Sequence, residues 1–182
     1  MHSLIKKVIE DGIEWIDTNA FDCLYTYSYQ IFGEAGNDGS LVGEMSSYLL
    51  ESGIDPLQSL PTVPKYFLYK QTIGTDLTLP LHLKEVGMKA FCKCQGLRTL
   101  TLHKNIEVIR MYAFSECRDL HKVIIENGTL QCASAAFSYC HNLETIIFKG
   151  TRKEFTRNII TGLRGLKNIL IVCNDETFTF GE

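Results

Sequence analysis

The sequence predicts an α/β solenoid with a parallel β-ladder, built from about five units of about 23 residues each and preceded by a mainly helical segment. Three observations indicate this fold class. The pairs Ala90-Phe91, Ala113-Phe114 and Ala136-Phe137 recur at a constant interval. Other apolar positions recur in the same register. The segment Leu97-x-x-Leu100-x-Leu102 also alternates with period two at its end, as in a short strand.

Seven apolar positions recur in three consecutive units. Besides the two positions of the Ala-Phe pair, they are five columns: Val86, Ile109 and Cys132; Cys94, Cys117 and Cys140; Leu97, Leu120 and Leu143; Leu100, Val123 and Ile146; Leu102, Ile125 and Phe148. One such unit cannot bury its apolar face alone, so stacking of the units must build the core. Weaker copies continue the register on both sides, as expected for the ends of an array.

The chain divides into three parts. We expect an acidic, mainly helical N-terminal cap or arm at residues 1–56, the solenoid at 57–175 and a C-terminal tail at 176–182. In the first part, residues 4–9 and a segment from Ser40, as N-cap, to Gly53 have helical apolar spacing. Residues 25–31 alternate like a strand. Tyr25, Tyr27 and Tyr29 lie on one side of it, where they either pack or form a secondary binding surface.

The net charge of −3 is unevenly distributed along the chain. Residues 1–56 contain two basic and ten acidic residues, and the remainder has a basic excess. A basic cluster near the C-terminus comprises Lys149, Arg152, Lys153, Arg157, Arg164 and Lys167. This cluster is solvated, attracts the acidic segment, or contacts nucleic acid or an acidic protein. Arg152, Lys153 and Arg157 are therefore further secondary candidates for binding.

The sequence gives no sign of export or membrane insertion. Its longest apolar run is far shorter than the roughly 20 residues of a membrane helix. The first residues lack the apolar stretch and the cleavage site of a secretory signal. We therefore expect a cytoplasmic protein. Its seven cysteines, an odd number, are then expected to be free thiols.

The repeat pattern carries a family resemblance. The stretch Ile109-x-x-x-Ala113-Phe114-x-x-Cys117-x-x-Leu120-x-x-Val123-x-Ile125 resembles the BspA-type leucine-rich repeat of bacteria and their viruses. Residues 148–155, where an aromatic residue follows a Gly-Thr pair, resemble the terminal repeat of that family. The resemblance covers about residues 57–175 and implies a short leucine-rich-repeat array. Residues 1–56 have no clear counterpart in the family, and its exported surface antigens differ from this chain, which lacks an export signal.

The outer face of the predicted ladder is the candidate binding surface. If Leu97, Leu100 and Leu102 face the core, then Thr99, Thr101 and His103 point outwards. The repeat then predicts three outer rows: Asp76, Thr99, Lys122, Thr145 and Asn168; Thr78, Thr101, Ile124, Ile147 and Leu170; Pro80, His103, Glu126, Lys149 and Val172. The middle row becomes apolar towards the C-terminus, as in a protein-binding patch.

We predict that ten residues of these rows bind a protein: Thr99, Thr101, His103, Lys122, Ile124, Glu126, Thr145, Ile147, Lys149 and Leu170. Because parallel sheets are usually covered on both faces, the N-terminal arm or a second copy of the chain is an alternative occupant of this surface.

The sequence contains no hydrolase, phosphate-binding or zinc-protease motif, so we expect no enzyme and no cofactor. Two groups of residues offer zinc-ligand chemistry but match no known zinc-finger spacing: Cys92-x-Cys94 with His103, and Cys117-x-x-x-His121. The repeat explains Cys94 and Cys117 as core positions, and we expect no metal. His141 follows Cys140 directly and should point away from it, which disfavours a thiol nucleophile.

These expectations favour a non-enzymatic module that presents a leucine-rich-repeat surface to a protein partner. A narrower hypothesis makes the protein a phage or mobile-element inhibitor of a host protein or nucleoprotein complex. One alternative is nucleic-acid-associated binding through the basic C-terminal unit. Another is a self-assembling structural protein whose copies meet through the apolar row.

Overall fold

A computed structural model describes residues 39–181, and for Leu41 it describes the backbone alone. Helix α1 (Ser40–Glu51) comes first, and 3-10 turns cover Pro56–Gln58 and Ile160–Leu163. Helix α2 is Arg152–Asn158. The strands are β1 (Asp76–Thr78), β2 (Glu85–Val86), β3 (Thr99–Leu102), β4 (Val108–Ile109), β5 (Lys122–Ile125), β6 (Gln131–Cys132), β7 (Thr145–Phe148), β8 (Ile169–Val172) and β9 (Thr177–Phe180). The expected helix at 4–9 and strand at 25–31 lie outside the described residues.

Two sheets run along the stack of coils. The larger one has six strands in the order β1-β3-β5-β7-β8-β9, and the smaller one has the order β2-β4-β6. All neighbours except β8 and β9 are parallel. Leu100 lies beside Val123 and Val123 beside Ile146, and all three are fully buried. The predicted α/β solenoid with a parallel ladder is confirmed, whereas the smaller sheet was not predicted.

The phenylalanines of the Ala-Phe pairs stack through the centre of the coils. The ring centroids of Phe91 and Phe114 are 5.1 Å apart with planes at 2°, and those of Phe114 and Phe137 are 5.4 Å apart at 7°. Phe67 extends this column at the N-terminal end with an edge contact to Phe91 at 6.1 Å. The alanine of each pair is fully buried beside the phenylalanine, and its single methyl group occupies little space in the core.

The cysteine column connects each coil to the one before it. Every thiol donates a hydrogen bond of 3.0 Å to a backbone carbonyl 26 residues earlier in the chain: Cys94 to Leu68, Cys117 to Phe91 and Cys140 to Phe114. Cysteine is small and apolar enough for the core, and its S–H also donates a hydrogen bond to a buried carbonyl oxygen. Ser115 and Ser138 form a similar buried pair, with their hydroxyl oxygens 2.8 Å apart.

Two positions in each coil have a left-handed backbone. One column comprises Tyr66, Lys89, Tyr112 and Ala135, and the other comprises Lys70, Lys93, Glu116 and Tyr139. Their φ angles lie between 54° and 62°. Each pair of positions brackets the segment that holds the buried phenylalanine. In these four coils the segment therefore turns tightly twice, and each turn requires a backbone conformation that L-residues rarely adopt.

Helix α1 covers the N-terminal part of the core with Val42 and Leu49, which are buried. Its start differs from the prediction, which made Ser40 the N-cap: Gly39, with φ of 85°, is the N-cap, and Ser40 is the first helical residue. The helix backbone lies directly on the first coil, because a Cβ added to Gly43 would be 2.4 Å from the carbonyl oxygen of Tyr69.

The last coil departs from the regular repeat. Strand β8 pairs with β7 so that Thr145 lies beside Leu170, whereas the constant step of the earlier coils would place it beside Asn168. The predicted pairing of Ile147 with Leu170 is therefore wrong. This coil contains α2 and a 3-10 turn where the others make the tight Ala-Phe turn, and it needs extra residues to return to the sheet.

The predicted C-terminal tail also carries regular structure. Residues 177–180 form β9, which pairs antiparallel with β8 and places Phe178 opposite Ile171. The Phe178 ring makes an edge contact with Phe155 at 5.8 Å, and the Arg152 guanidinium lies 4.3 Å above its centroid. Arg152 also pairs with the Glu176 carboxylate. The strand and this arginine thus cover the C-terminal end of the core.

Candidate functional site

The outer face of the six-stranded sheet consists of two rows of side chains. Strand pairing gives one row as Asp76, Thr99, Lys122, Thr145, Leu170 and Thr179, and the other as Thr78, Thr101, Ile124, Ile147, Val172 and Thr177. Inward-facing neighbours of β3, β5 and β7 are buried, whereas the outer residues are half-buried or exposed. The alternation fixes which residues a partner could touch.

Four aliphatic side chains meet on this face, and we call them the aliphatic patch: Ile124, Ile147, Leu170 and Val172. Ile147 lies between Ile124 and Val172 in one row, and Leu170 belongs to the neighbouring row. Leu170 is 43% exposed, and the other three are half-buried. The patch is smaller than a complete interface, since three or four aliphatic side chains cover a few hundred Å² and a specific complex buries more than about 1,000 Å².

Polar residues surround the aliphatic patch. Lys122 and Thr145 are paired in the row next to that of the isoleucines, so both flank Ile124 and Ile147. Glu126 and Lys149 directly follow β5 and β7, and both are exposed. Thr99 and Thr101 continue the two rows towards the N-terminus and are half-buried. An apolar centre with a polar rim is the usual arrangement of a protein interface.

His103 does not belong to this surface, contrary to the prediction. Its side chain is 3% exposed. Its Nε2 lies 3.0 Å from the carbonyl oxygen of Pro80, and its Nδ1 accepts the backbone N–H of Asn105 at 3.2 Å. Strand β3 ends at Leu102, so the alternation of the strand no longer determines where the next side chain points. The ring instead links its own coil to the preceding one.

The secondary candidates fall into two groups. Tyr25, Tyr27 and Tyr29 lie outside the described residues. Arg152, Lys153 and Arg157 lie on α2, and all three are exposed. Arg152 is engaged with Phe178 and Glu176, so it contributes to closing the core as well as to the surface charge.

The cysteines of the described residues are buried, and they are unsuited to thiolate chemistry. Burial raises the pKa of Cys132 to about 12 and that of Cys92 to about 11. A hydrogen bond with Cys140, followed by burial, raises the pKa of Cys117. Cys140 is buried while His141 is exposed, as the repeat register predicted. Within residues 39–181, no three His, Cys, Asp or Glu side chains are placed to hold a metal ion.

A groove of about 640 Å³ lies beside the cysteine column and contains both signs of charge. Lys70, Lys93 and Arg118 line it together with Glu116 and Asp119. The Lys93 ammonium is 3.4 Å from the Glu116 carboxylate, and Asp119 accepts the backbone N–H of Gly96 at 2.8 Å. Both carboxylates contact the neighbouring coil. The charged residues of the groove are therefore explained by their role in holding neighbouring coils together.

The repeat register alone placed one residue of the outer face in the wrong row and missed two others. Val172 was assigned to another row because the step to the last strand is longer than the repeat step. Thr177 and Thr179 were assigned to a tail. The alternation Thr177-Phe178-Thr179-Phe180 is a strand signal of period two, and it could have identified β9.

No helix among residues 39–181 has the length and apolarity needed to cross a lipid bilayer. This observation concerns the described residues only.

Comparison with protein-family models agrees with this architecture. The BspA type leucine rich repeat region matches residues 62–180 in six copies. Among solved structures, a leucine-rich repeat protein from Bacteroides ovatus ATCC 8483 is similar at 17% identity, with a TM-score of 0.42. The match covers 67% of this chain and 38% of that protein, so this chain corresponds to well under half of its length. No curated protein matches significantly. Because the repeat family accounts for about two thirds of its residues, the chain belongs to the BspA-type leucine-rich repeat family.

Proposed function

We propose that this protein is a non-enzymatic binding module that holds a protein partner on the outer face of its six-stranded sheet. The observation that carries the proposal is the aliphatic patch, which lies on the regularly paired strands of the large sheet and retains an exposed leucine. Leucine-rich repeats typically mediate binding, which supports the general assignment. The repeat family is normally non-catalytic, which supports the absence of an enzymatic role.

The chemistry of the face indicates what kind of partner would fit it. The patch requires an apolar surface opposite it, because aliphatic side chains lose water without gaining hydrogen bonds. Lys122 and Lys149 at the rim are exposed and favour carboxylates at the edge of the partner. The threonines offer hydroxyl groups that both donate and accept. We therefore propose a protein partner with an apolar centre and acidic residues around it.

A comparison of variants on opposite sides of the solenoid tests this proposal. Ile147→Glu places a charge in the aliphatic patch, whereas Met111→Glu places the same charge on another exposed apolar residue, which is 45% accessible and lies outside the large sheet. A partner captured by the wild-type chain should bind Met111→Glu normally and bind Ile147→Glu at least about tenfold more weakly, a loss of about 1.4 kcal/mol. Equal binding of both variants would place the site elsewhere.

The narrower hypotheses remain proposals beside this one. Two of them are predictions from the sequence: that the protein is a phage or mobile-element inhibitor of a host protein, and that it is cytoplasmic. Nucleic-acid binding would use Lys153 and Arg157 on α2, which are exposed. It predicts that DNA or RNA binds the chain and that the affinity falls steeply with salt. Loss of the captured partner after nuclease treatment would favour this alternative over direct protein binding.

A further inference from the structure

The free edge of β9 is the feature that the binding face leaves unexplained. The Leu170 N–H donates to the Glu144 carbonyl at 2.8 Å, so the polar backbone groups of Leu170 point to β7. Those of Ile169 and Ile171 therefore point to β9, where they meet Phe180 and Phe178.

Because the direction alternates along a strand, the backbone N–H and C=O groups of Thr177 and Thr179 point away from the sheet. Within residues 39–181, β9 is the last strand of this sheet, and no other strand pairs with its outer edge.

This edge lacks the usual protection against strand pairing. Edge strands in soluble proteins commonly carry a lysine, a proline or a bulge. The four residues Thr177–Phe180 contain none of these, and threonine and phenylalanine both favour strands. Thr177 and Thr179 are exposed, whereas Phe178 and Phe180 are half-buried. The strand thus offers both unpaired backbone groups and incompletely covered aromatic rings.

We propose that β9 pairs with β9 of a second copy of this chain, antiparallel and centred on Phe178. In this register, Thr177 of each copy lies opposite Thr179 of the other, so the outward backbone groups of both residues find partners. Glu176 lies opposite Phe180 of the second copy, and no two carboxylates face each other directly. Threonine pairs across strands are favourable, and the two phenylalanines meet at the centre on the inner side.

The pairing would join the two large sheets into one continuous sheet. The aliphatic patches of the two copies would then flank a central group of four threonines on the same outer face. This inference concerns the edge of the sheet and does not depend on a bound partner. It therefore stands or falls separately from the binding function proposed for the face.

Charge pairs across the interface test both the contact and its register. Thr177→Lys combined with Thr179→Lys places lysine opposite lysine twice. Thr177→Glu combined with Thr179→Lys places opposite charges in the same two pairs. We expect the wild-type chain, of 20.6 kDa, to show twice this mass in sedimentation equilibrium as concentration rises. The lysine pair should weaken association at least about tenfold, and the mixed pair should retain it. A monomeric wild type, or equal behaviour of the two double variants, would overturn the proposal.

A proline variant distinguishes association through the edge of β9 from association through the outer face. Thr179→Pro removes an N–H that points away from β8, so it blocks pairing of the edge without removing a bond of the sheet. Thr78→Pro is the matched control on β1, whose outer edge is the opposite end of the same sheet. We expect Thr179→Pro to be monomeric and Thr78→Pro to dimerise. Dimers that persist in Thr179→Pro but are lost in Ile147→Glu would show that the face joins the copies, which contradicts pairing through β9.

Discussion

Single residues in this fold often have two structural roles, and the cysteine column illustrates this best. Cys94, Cys117 and Cys140 fill the core and also donate hydrogen bonds to carbonyls of the preceding coil. A serine would donate equally well but would bring a more polar group into the core, and an alanine would leave the carbonyl without its partner. The sequence alone identified these residues as core positions. It did not reveal the hydrogen bonds, because those depend on which carbonyl the preceding coil presents to the thiol.

The buried thiols predict a loss of stability at alkaline pH. The pKa of Cys132 is raised by burial from 9.0 to about 12, so above pH 9 the unfolded chain loses this proton while the folded chain keeps it. Stability is therefore complete below pH 9 and should fall as pH rises, by up to about 1.4 kcal/mol per pH unit for each such thiol. Urea unfolding across this range measures the effect. Cys132→Ala should show a shallower decline, and parallel curves would contradict the explanation.

The left-handed positions predict opposite effects of one substitution at adjacent residues. Ala135 has φ of 59°, whereas its neighbour Ala136 is not among the residues with positive φ. Ala135→Gly relieves the left-handed strain, which outweighs the loss of a buried methyl group, and should stabilise the protein by up to about 1 kcal/mol. Ala136→Gly should destabilise it by about 1 kcal/mol, because glycine costs entropy and the buried methyl group is lost. Denaturant unfolding of both variants provides the measurement, and effects of the same sign would refute the argument.

At the scale of elements, helix α1 depends on the absence of a side chain at Gly43. An added Cβ would lie 2.4 Å from the Tyr69 carbonyl oxygen, and that oxygen belongs to the backbone and cannot rotate away. Gly43→Ala should therefore push the helix off the first coil and destabilise the protein by about 1–3 kcal/mol, despite the higher helix propensity of alanine. Gly74→Ala is the control, since nothing lies within 4 Å of its added Cβ. The helical content and the unfolding midpoint of both variants report the outcome.

The elements also show where prediction from sequence succeeds. Strands β3, β5 and β7 recur at a constant step, so one pattern located all three, and the family resemblance extended them to an array. Helix α2 appears once, and no column of repeats indicates it. Its start nevertheless carries a capping box, in which Thr151 and Glu154 exchange hydrogen bonds. The row of Leu170 was predicted wrongly because the prediction used the constant repeat step. The coil that contains α2 has extra residues, which shift the register of the last strand.

At the scale of the whole molecule, the two ends of the stack are closed in different ways. Helix α1 covers the N-terminal part of the core with Val42 and Leu49. The C-terminal end is covered by β9 and by Arg152, which lies on the Phe178 ring and pairs with Glu176. Arg152→Ala should cost about 1 kcal/mol and should speed hydrogen exchange in β8 and β9, with β3 unchanged. Lys153→Ala, on the same helix, is the control for loss of one positive charge. Equal exchange in both variants would show that the arginine does not hold this end.

The candidate face could be predicted only in part, and the reason lies in long-range structure. The alternation within Thr99–Leu102 and its copies places Ile124 and Ile147 on the outside. His103 could not be assigned in this way, since its orientation depends on the carbonyl of Pro80 in the neighbouring coil. Val172 required knowledge of the register of the last strand. The regular part of the array was thus accessible from the sequence, whereas its termination was not.

The constant register between β3, β5 and β7 restricts how the length of this protein can change. Residues equivalent by the repeat occupy equivalent positions, so removal of residues 108–130 would bring Phe91 onto Phe137 and leave both ends as they are. An insertion or deletion within the strands of the regular coils that is not a whole number of coils would turn apolar side chains to the solvent. The chain can therefore grow or shrink in whole coils, and each added coil widens the outer face by one strand, or about 4.8 Å.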